Sequence, residues 1–285
     1  MKLSCVIITM GTRPAELGRA IASTEPLRAD GVELVLVGNG ADLPPVPADV
    51  RTIRLPRNVG VAAGRNAGLA ASAGDVVLFV DDDGWFDDPG IGKHVEARFA
   101  ADPRLAVLAF RVVDPAGGAG VRWHVPRLRA DADRSSEVTT FVGAGFAARR
   151  SAWLQAGGLP EEFFFAHEET DLAWRLIELG YRLEYDADAR ICHPPVSNAR
   201  HEGWYRYDGR NRVLLARRNL PKPLAALYLV DWLAITTMRE RRSPGALRAW
   251  LGGFAEGWRT DPGRRRPISL RTVWRMTKAG RPPVI

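Results

Sequence analysis

Three consecutive carboxylates, Asp81, Asp82 and Asp83, follow the apolar run Val76 to Val80. A second acidic group, Glu168, Glu169 and Asp171, follows three phenylalanines in FFFAHEETDLAW. In an extended segment alternate side chains share a side, so Asp81 and Asp83 point together and Asp82 points away. That outer pair can share a divalent cation. Hard oxygen ligands suit Mg²⁺ or Mn²⁺, ions that substrate phosphates commonly complete. The plainer use of aspartates is in turns and helix caps, but three adjacent charges repel and a turn needs only one. In the second group Glu169 opens a predicted helix over 169–179, whose first turn favours negative charge through the helix dipole. Capping alone would account for that. The flanking aromatic residues, however, imply that part of the group is desolvated, which raises a carboxylate pKa and makes it usable as a general base. His193, in RICHPP, is a lone histidine, a type more often structural than ligating.

The elements that must position these groups alternate in type. Apolar, β-branched runs at 3–9, 32–38, 50–55 and 76–80 predict strands; segments at 14–23, 60–73 and 93–101 predict helices. This alternation predicts a βαβ architecture with a mainly parallel central sheet, its strands nearly continuously apolar because both faces are covered. Ligands of such sheets bind beyond the carboxyl ends of the strands, which is where Asp81 to Asp83 fall. Beyond the run 105–114 the pattern loosens into a glycine-rich turn at 115–120 and a polar stretch at 129–137 that reads as a mobile loop. The pattern then recovers through VGAGFAARR, the helix at 169–179 stopped by Gly180, and the strand YRLEY.

The chain has 285 residues, 46% hydrophobic and 26% charged, the composition of a soluble globular protein. Its two cysteines, Cys5 and Cys192, have neither disulfide-framework nor zinc-site spacing. Together with the lack of a signal peptide or an 18-residue apolar span, this points to the cytoplasm. The net charge of +7 is uneven. Residues 196–285 hold 19 Lys and Arg against six Asp and Glu, while residues 1–195 hold 21 against 27. The basic excess therefore lies entirely in the tail and suits an anionic partner. No nucleic-acid-binding module accompanies it. In the tail, PKPLAALYLVDWLAITTMRERR has apolar positions 224, 227, 228, 232 and 235 at helical spacing. They predict a helix packed on the rest of the chain or lying on anionic lipid, with Trp250, Trp258 and Trp274 among arginines nearby.

Four motifs in order, VIITMGTRP, VLVGNG, RNVGVAAGRNAGLAASAGDVVLFVDDDGW and GGLPEEFFFAHEETDLAWRLIELGYRL, resemble the glycosyltransferase family 2 catalytic domain, nearest in appearance to its actinobacterial members. The resemblance runs from about Leu3 to Pro195 and implies the GT-A fold over 1–195, with 196–285 a basic, mostly helical extension. It also implies an inverting enzyme that moves one sugar from a UDP-, dTDP- or GDP-linked donor to a hydroxyl acceptor, which in this family is often lipid-linked at a membrane. By the same resemblance Asp81 and Asp83 are the metal-binding pair and His193 stands where some members carry a third metal ligand. Thr9 and Asn39 occupy the nucleobase pocket, while Arg13, Arg65, Asp81 and Asp82 lie on the nucleotide. Glu169 is the general base, with Asp171 the fallback. Two departures stand out: Gly38 replaces a common aspartate before Asn39, and the usual Glu-Asp pair is Glu168-Glu169. No QxxRW signature of processive synthases is present.

Two other readings fit fewer residues. A haloacid dehalogenase-type phosphatase shares the DDDG segment, but that motif normally opens the chain and continues with Thr or Val rather than Trp85. A sugar-nucleotide binding protein without turnover would use the same donor residues and leave the base idle.

Overall fold

The computed structural model describes residues 1–117, 124–128, 131–195 and 203–284. The glycine-rich turn at 115–120, the polar stretch at 129–137 and the start of the basic tail therefore lie partly outside the described residues. Strands β1 (Leu3–Thr9), β2 (Glu33–Asn39), β3 (Val50–Leu55) and β4 (Val76–Asp81) alternate with helices α1 (Pro14–Ser23), α2 (Glu25–Ala29) and α3 (Gly60–Ala71). After α4 (Ile91–Ala101) come β5 (Leu105–Val113), β6 (Ser136–Glu137), β7 (Gly145–Arg149), α5 (Arg150–Ala156), a 3₁₀ turn (Glu161–Phe163), α6 (Glu168–Glu178) and β8 (Arg182–Cys192). They build one eight-stranded sheet in the order β3-β2-β1-β4-β7-β5-β8-β6.

Strands β3, β2, β1 and β4 are parallel, as the continuous apolar runs predict. β7 runs antiparallel to both β4 and β5, and β6, inside the stretch expected to be a loop, pairs antiparallel with β8. Alternation along β1 shows how both faces are covered. Val6 joins a cluster with Phe79, Phe146 and Trp153, while Cys5 and Ile7 join Leu36, Leu78 and Phe99 on the other face. The carboxyl ends of β1 and β4 lie side by side, with Ile8 paired to Asp81, so Thr9 and Asp81 to Asp83 open on one edge.

Four helices follow: α7 (Trp204–Asn219), α8 (Lys222–Arg239), α9 (Pro244–Arg259) and α10 (Leu270–Lys278). They pack on the sheet domain, since Val213, Leu214, Tyr228 and Met276 share the cluster of Phe79 and Trp153. Helix α9 lies tightly on α7. A Cβ at Gly253 would fall 2.0 Å from the Arg206 carbonyl oxygen, so only glycine fits there. The stripe expected to face inward on α8 is corrected at one position: Leu227 is 47% exposed, whereas Tyr228 and Leu229 are buried. Of Trp250, Trp258 and Trp274, the first is fully buried and the other two are exposed.

Candidate active site

Strand β4 ends at Asp81 and the next two residues are both buried. Ligand atoms of Asp81, Asp83 and His193, which follows β8, all lie within 4.8 Å of one another. His193 Nε2 is 3.1 Å from Asp83 Oδ1, and its Nδ1 lies 2.8 Å from the Pro194 carbonyl oxygen. Burial alone would disfavour the charged imidazole, but the hydrogen bond to Asp83 and the charges of Asp83 and Asp81 outweigh it and raise the pKa. Two carboxylates and an imidazole form a donor set suited to Mn²⁺, and less to an all-oxygen preference such as that of Mg²⁺. The sequence missed His124, whose ring stands edge-on to His193 at 6.0 Å. Burial, then the charge of His193, pushes its pKa down to about 4, so it stays neutral beside the acidic cluster. It lies in the loosely patterned stretch after β5, where no spacing marked it.

Past Asp81 the chain is not extended but turns, with Gly84 N–H donating to the Asp81 carbonyl at 3.0 Å, so the strand alternation expected from the sequence does not orient Asp82. Thr9 Oγ1 donates to it at 2.6 Å and Arg13 pairs with it at 2.8 Å and also with Asp83. Burial of Asp82 nonetheless raises its pKa. Arg13 thus reaches the acidic cluster. Thr9 instead uses its hydroxyl inside the protein, accepting from Gly11 N–H at 3.0 Å while donating to Asp82. Asn39 is likewise engaged at both ends, donating to the Asn58 side chain and the Gly60 carbonyl and accepting from Val59 N–H. Thr9 and Asn39 are both buried and hydrogen-bonded within the protein. Trp85 is partly buried with the Arg19 guanidinium 4.6 Å over its ring.

The two acidic groups meet at Arg65 of α3. Its guanidinium, 3% exposed, donates to Asp81 Oδ1 at 2.9 Å, to the Gly143 carbonyl at 2.7 Å and to Glu169 Oε1 at 3.0 Å. Burial works against its charge, but Asp81, Glu169 and Glu168 raise its pKa further, so it stays cationic. A Cβ at Gly143 would fall 2.3 Å from Glu169 Oε1. That glycine makes room for the Arg65–Glu169 pair, and Gly145 makes room for Ile191 in the same way. Both are packing glycines.

Helix α6 begins at Glu168, one residue earlier than expected, and its three acids diverge. Glu169 pairs with Arg65 and keeps a side chain 15% exposed. Glu168 is buried, and its Oε2 has no hydrogen-bond partner. Burial and the adjacent Glu169 charge, against the opposing pull of Arg65, hold its pKa well above the usual carboxylate range. Asp171, the fallback base, is corrected outright. It is 0% exposed and its oxygens accept from Arg175, Arg218 and Asn219, so it faces the protein interior rather than the cleft.

With this geometry in view, known proteins place the molecule. The fold resembles GalNAc-T7 solved with UDP, GalNAc and Mn²⁺ (TM-score 0.62, 16% identity, 80% of this chain and 49% of that one). It also resembles residues 1–349 of S. aureus TarS with UDP-GlcNAc (0.61, 16%, 96% and 83%). A third likeness is the mannosyltransferase PcManGT of Pyrobaculum calidifontis with GDP-Man and Mn²⁺ (0.58, 16%, 97% and 79%). The sheet and its helices are the GT-A glycosyltransferase fold. The family profile described as Glycosyl transferase family 2 matches residues 4–156, and the chain belongs to that family. Among curated relatives, the pre-mycofactocin glycosyltransferase of Mycobacterium tuberculosis H37Rv is 29% identical over 270 residues, covering 86% of this chain and 51% of that protein. The O-antigen chain rhamnosyltransferase RfbN of Salmonella typhimurium is 24% identical over 179 residues, 56% of each. The chain thus spans about half the length of these relatives.

Proposed function

We propose that this chain transfers a single sugar from a nucleoside diphosphate sugar to an acceptor hydroxyl, with inversion, using Mn²⁺ or Mg²⁺. The observation that carries the reading is the convergence of Asp81, Asp83 and His193 within 4.8 Å, joined through Arg65 to Glu169. Asp81, Asp83 and His193 are the residues that would hold the ion. When bound, a divalent cation neutralises charge developing on the departing diphosphate, an effect of several kcal/mol in a partly dry site. Arg13 lies beside the same diphosphate position and adds a second positive charge. Glu169 takes the proton of the acceptor hydroxyl as its oxygen bonds to the anomeric carbon and the bond to the diphosphate breaks on the opposite side. Arg65 holds Glu169 in place through its hydrogen bond at 3.0 Å. Donors of UDP, dTDP and GDP are all candidates; the named relatives and the UDP and GDP-Man complexes above support the class. Neither the phosphatase nor the non-catalytic reading gains support from fold or family.

A thermal-shift screen of these sugar nucleotides tests the proposal. One donor type should stabilise the protein with Mn²⁺ present, and the gain should vanish in Asp83→Ala. Equal, metal-independent stabilisation by all of them would refute it.

The acceptor side also fits a lipid-linked substrate held at an anionic membrane surface. Among the described residues no helix is long and apolar enough to cross a membrane. Yet the outward face of α8 presents Leu227, Val230, Leu233, Ala234 and Met238 to solvent, flanked by exposed Lys222, Arg239, Arg241 and Arg242. A helix apolar on its free face and basic at its ends suits an interfacial position. The protein should float with anionic vesicles and a Val230→Glu/Met238→Glu variant should not; failure of the unaltered protein to float would remove this part of the proposal.

A further inference from the structure

Helix α6 is entered through a turn in which three non-glycine residues, Phe164, Ala166 and His167, have positive φ, at 61°, 73° and 68°. Left-handed backbone is unfavourable for residues with a Cβ and persists only where the surroundings over-determine it. Here much of the restraint comes from one turn of α7. Asn211, fully buried, donates through Nδ2 to the carbonyl oxygens of Phe163 at 2.9 Å, Phe165 at 2.8 Å and Ala166 at 2.8 Å. Two amide hydrogens shared among three carbonyls draw the turn toward the helix. Arg210 donates to the carbonyls of Glu162 and Phe163 at 3.0 and 2.8 Å. Asp208 Oδ1 lies 2.8 Å from His167 Nε2, and Asp208 is itself fixed by Trp250 Nε1 at 2.6 Å and by Arg212. From the opposite side α3 closes the grip: Val61 N–H donates to the Phe164 carbonyl at 2.7 Å, and only a glycine fits at Gly60, where a Cβ would lie 2.5 Å from that oxygen.

Two residues beyond this turn stands Glu169. A small rotation of the α6 entry would move its carboxylate off Arg65 and away from the cleft. We infer that α7 is a positioning element for the reaction: Asn211, seconded by Asp208 acting through His167, holds the strained turn 164–167 and so aims Glu169. The inference rests on the reading of Glu169 as the base. It gives the segment after β8 a part in turnover as well as in packing.

The Asn211→Leu variant removes the donor at nearly constant volume. The expected result is a kcat lowered about tenfold or more with the donor KM within about twofold of the parent. Hydrogen exchange should accelerate at 163–169 while β1 and β4 keep their protection. Adding Ala166→Gly, which adopts positive φ without strain, should recover part of the lost kcat. A folded Asn211→Leu protein with parental kcat, or loss of kcat without faster exchange at 163–169, would overturn the inference. Should Asn211→Leu fail to fold, Asp208→Asn retains one acceptor oxygen and the same split should appear in smaller measure, parental kcat again being the contrary result. Glu169→Gln separates the two levels. If it is fully active the base assignment fails; if it is inactive while Asn211→Leu turns over normally, only the positioning role fails.

Discussion

The chain carries two acidic triplets of similar composition, and the structure treats them in opposite ways. At the end of β4 the carboxylates stay together: Asp81 and Asp83 share one site with His193, and Asp82 braces it from behind through Thr9 and Arg13. At the start of α6 the acids are separated. Glu169 stays partly exposed, Glu168 is buried beside Arg65, and Asp171 is sealed among Arg175, Arg218 and Asn219. Backbone course is the first cause. A turn closed by Gly84 N–H on the Asp81 carbonyl carries Asp83 back beside Asp81, whereas the helical period turns Glu169 about 100° from Glu168 and brings Asp171 back toward Glu168. Supply of countercharge is the second. Arg65, Arg13 and His193 touch the strand-end carboxylates yet leave three potential ligand atoms close together, whereas Arg175 and Arg218 seal Asp171 of the helix-start group completely.

This contrast can be broken at three places. Glu169→Gln should have the largest effect, lowering kcat roughly 100- to 10,000-fold, the range for loss of a general base, with nucleotide affinity unchanged; steady-state kinetics beside a binding titration would check it. Asp171→Ala strips the partner from buried Arg175 and Arg218 and should cost about 3–5 kcal/mol of stability. Denaturant unfolding would measure this, and a folded remnant should still bind nucleotide. Glu168→Gln should have the smallest effect and the opposite sign. Because burial raises the folded pKa of Glu168, its ionised form works against folding, and the penalty grows as pH rises from the unfolded carboxylate value toward the folded one. Replacement should therefore leave stability unchanged near pH 4 and raise it at neutral pH by about 1 kcal/mol, a typical hydrogen-bond-sized gain, read from melts across that range.

The same contrast explains what the sequence could show. β1, β2 and β4 were legible because strands covered on both faces are apolar throughout, and α3 because it follows them at helical spacing. The antiparallel course of β7 was not, since the apolar pattern of GFAAR carries no direction and only its neighbours set its sense. Asp81, Asp83 and His193 could be named from local pattern and family resemblance. Asp171 was misplaced because its neutralising partners Arg218 and Asn219 lie on α7, 47 and 48 residues on. The ion-pairing role of Arg65 was hidden for the same reason: the carboxylates that surround it belong to β4 and α6. Asn211 left no trace at all, because its task is set by backbone dihedrals elsewhere.

The division between a cation-holding triplet and a base-bearing one is tested most directly by titrating Mn²⁺ calorimetrically into the protein saturated with the nucleoside diphosphate it prefers, in the parent, Asp83→Ala and Glu169→Gln forms. The parent and Glu169→Gln should bind the ion with the same affinity, and Asp83→Ala should show no binding heat. Retention of Mn²⁺ by Asp83→Ala, or its loss in Glu169→Gln, would contradict the account.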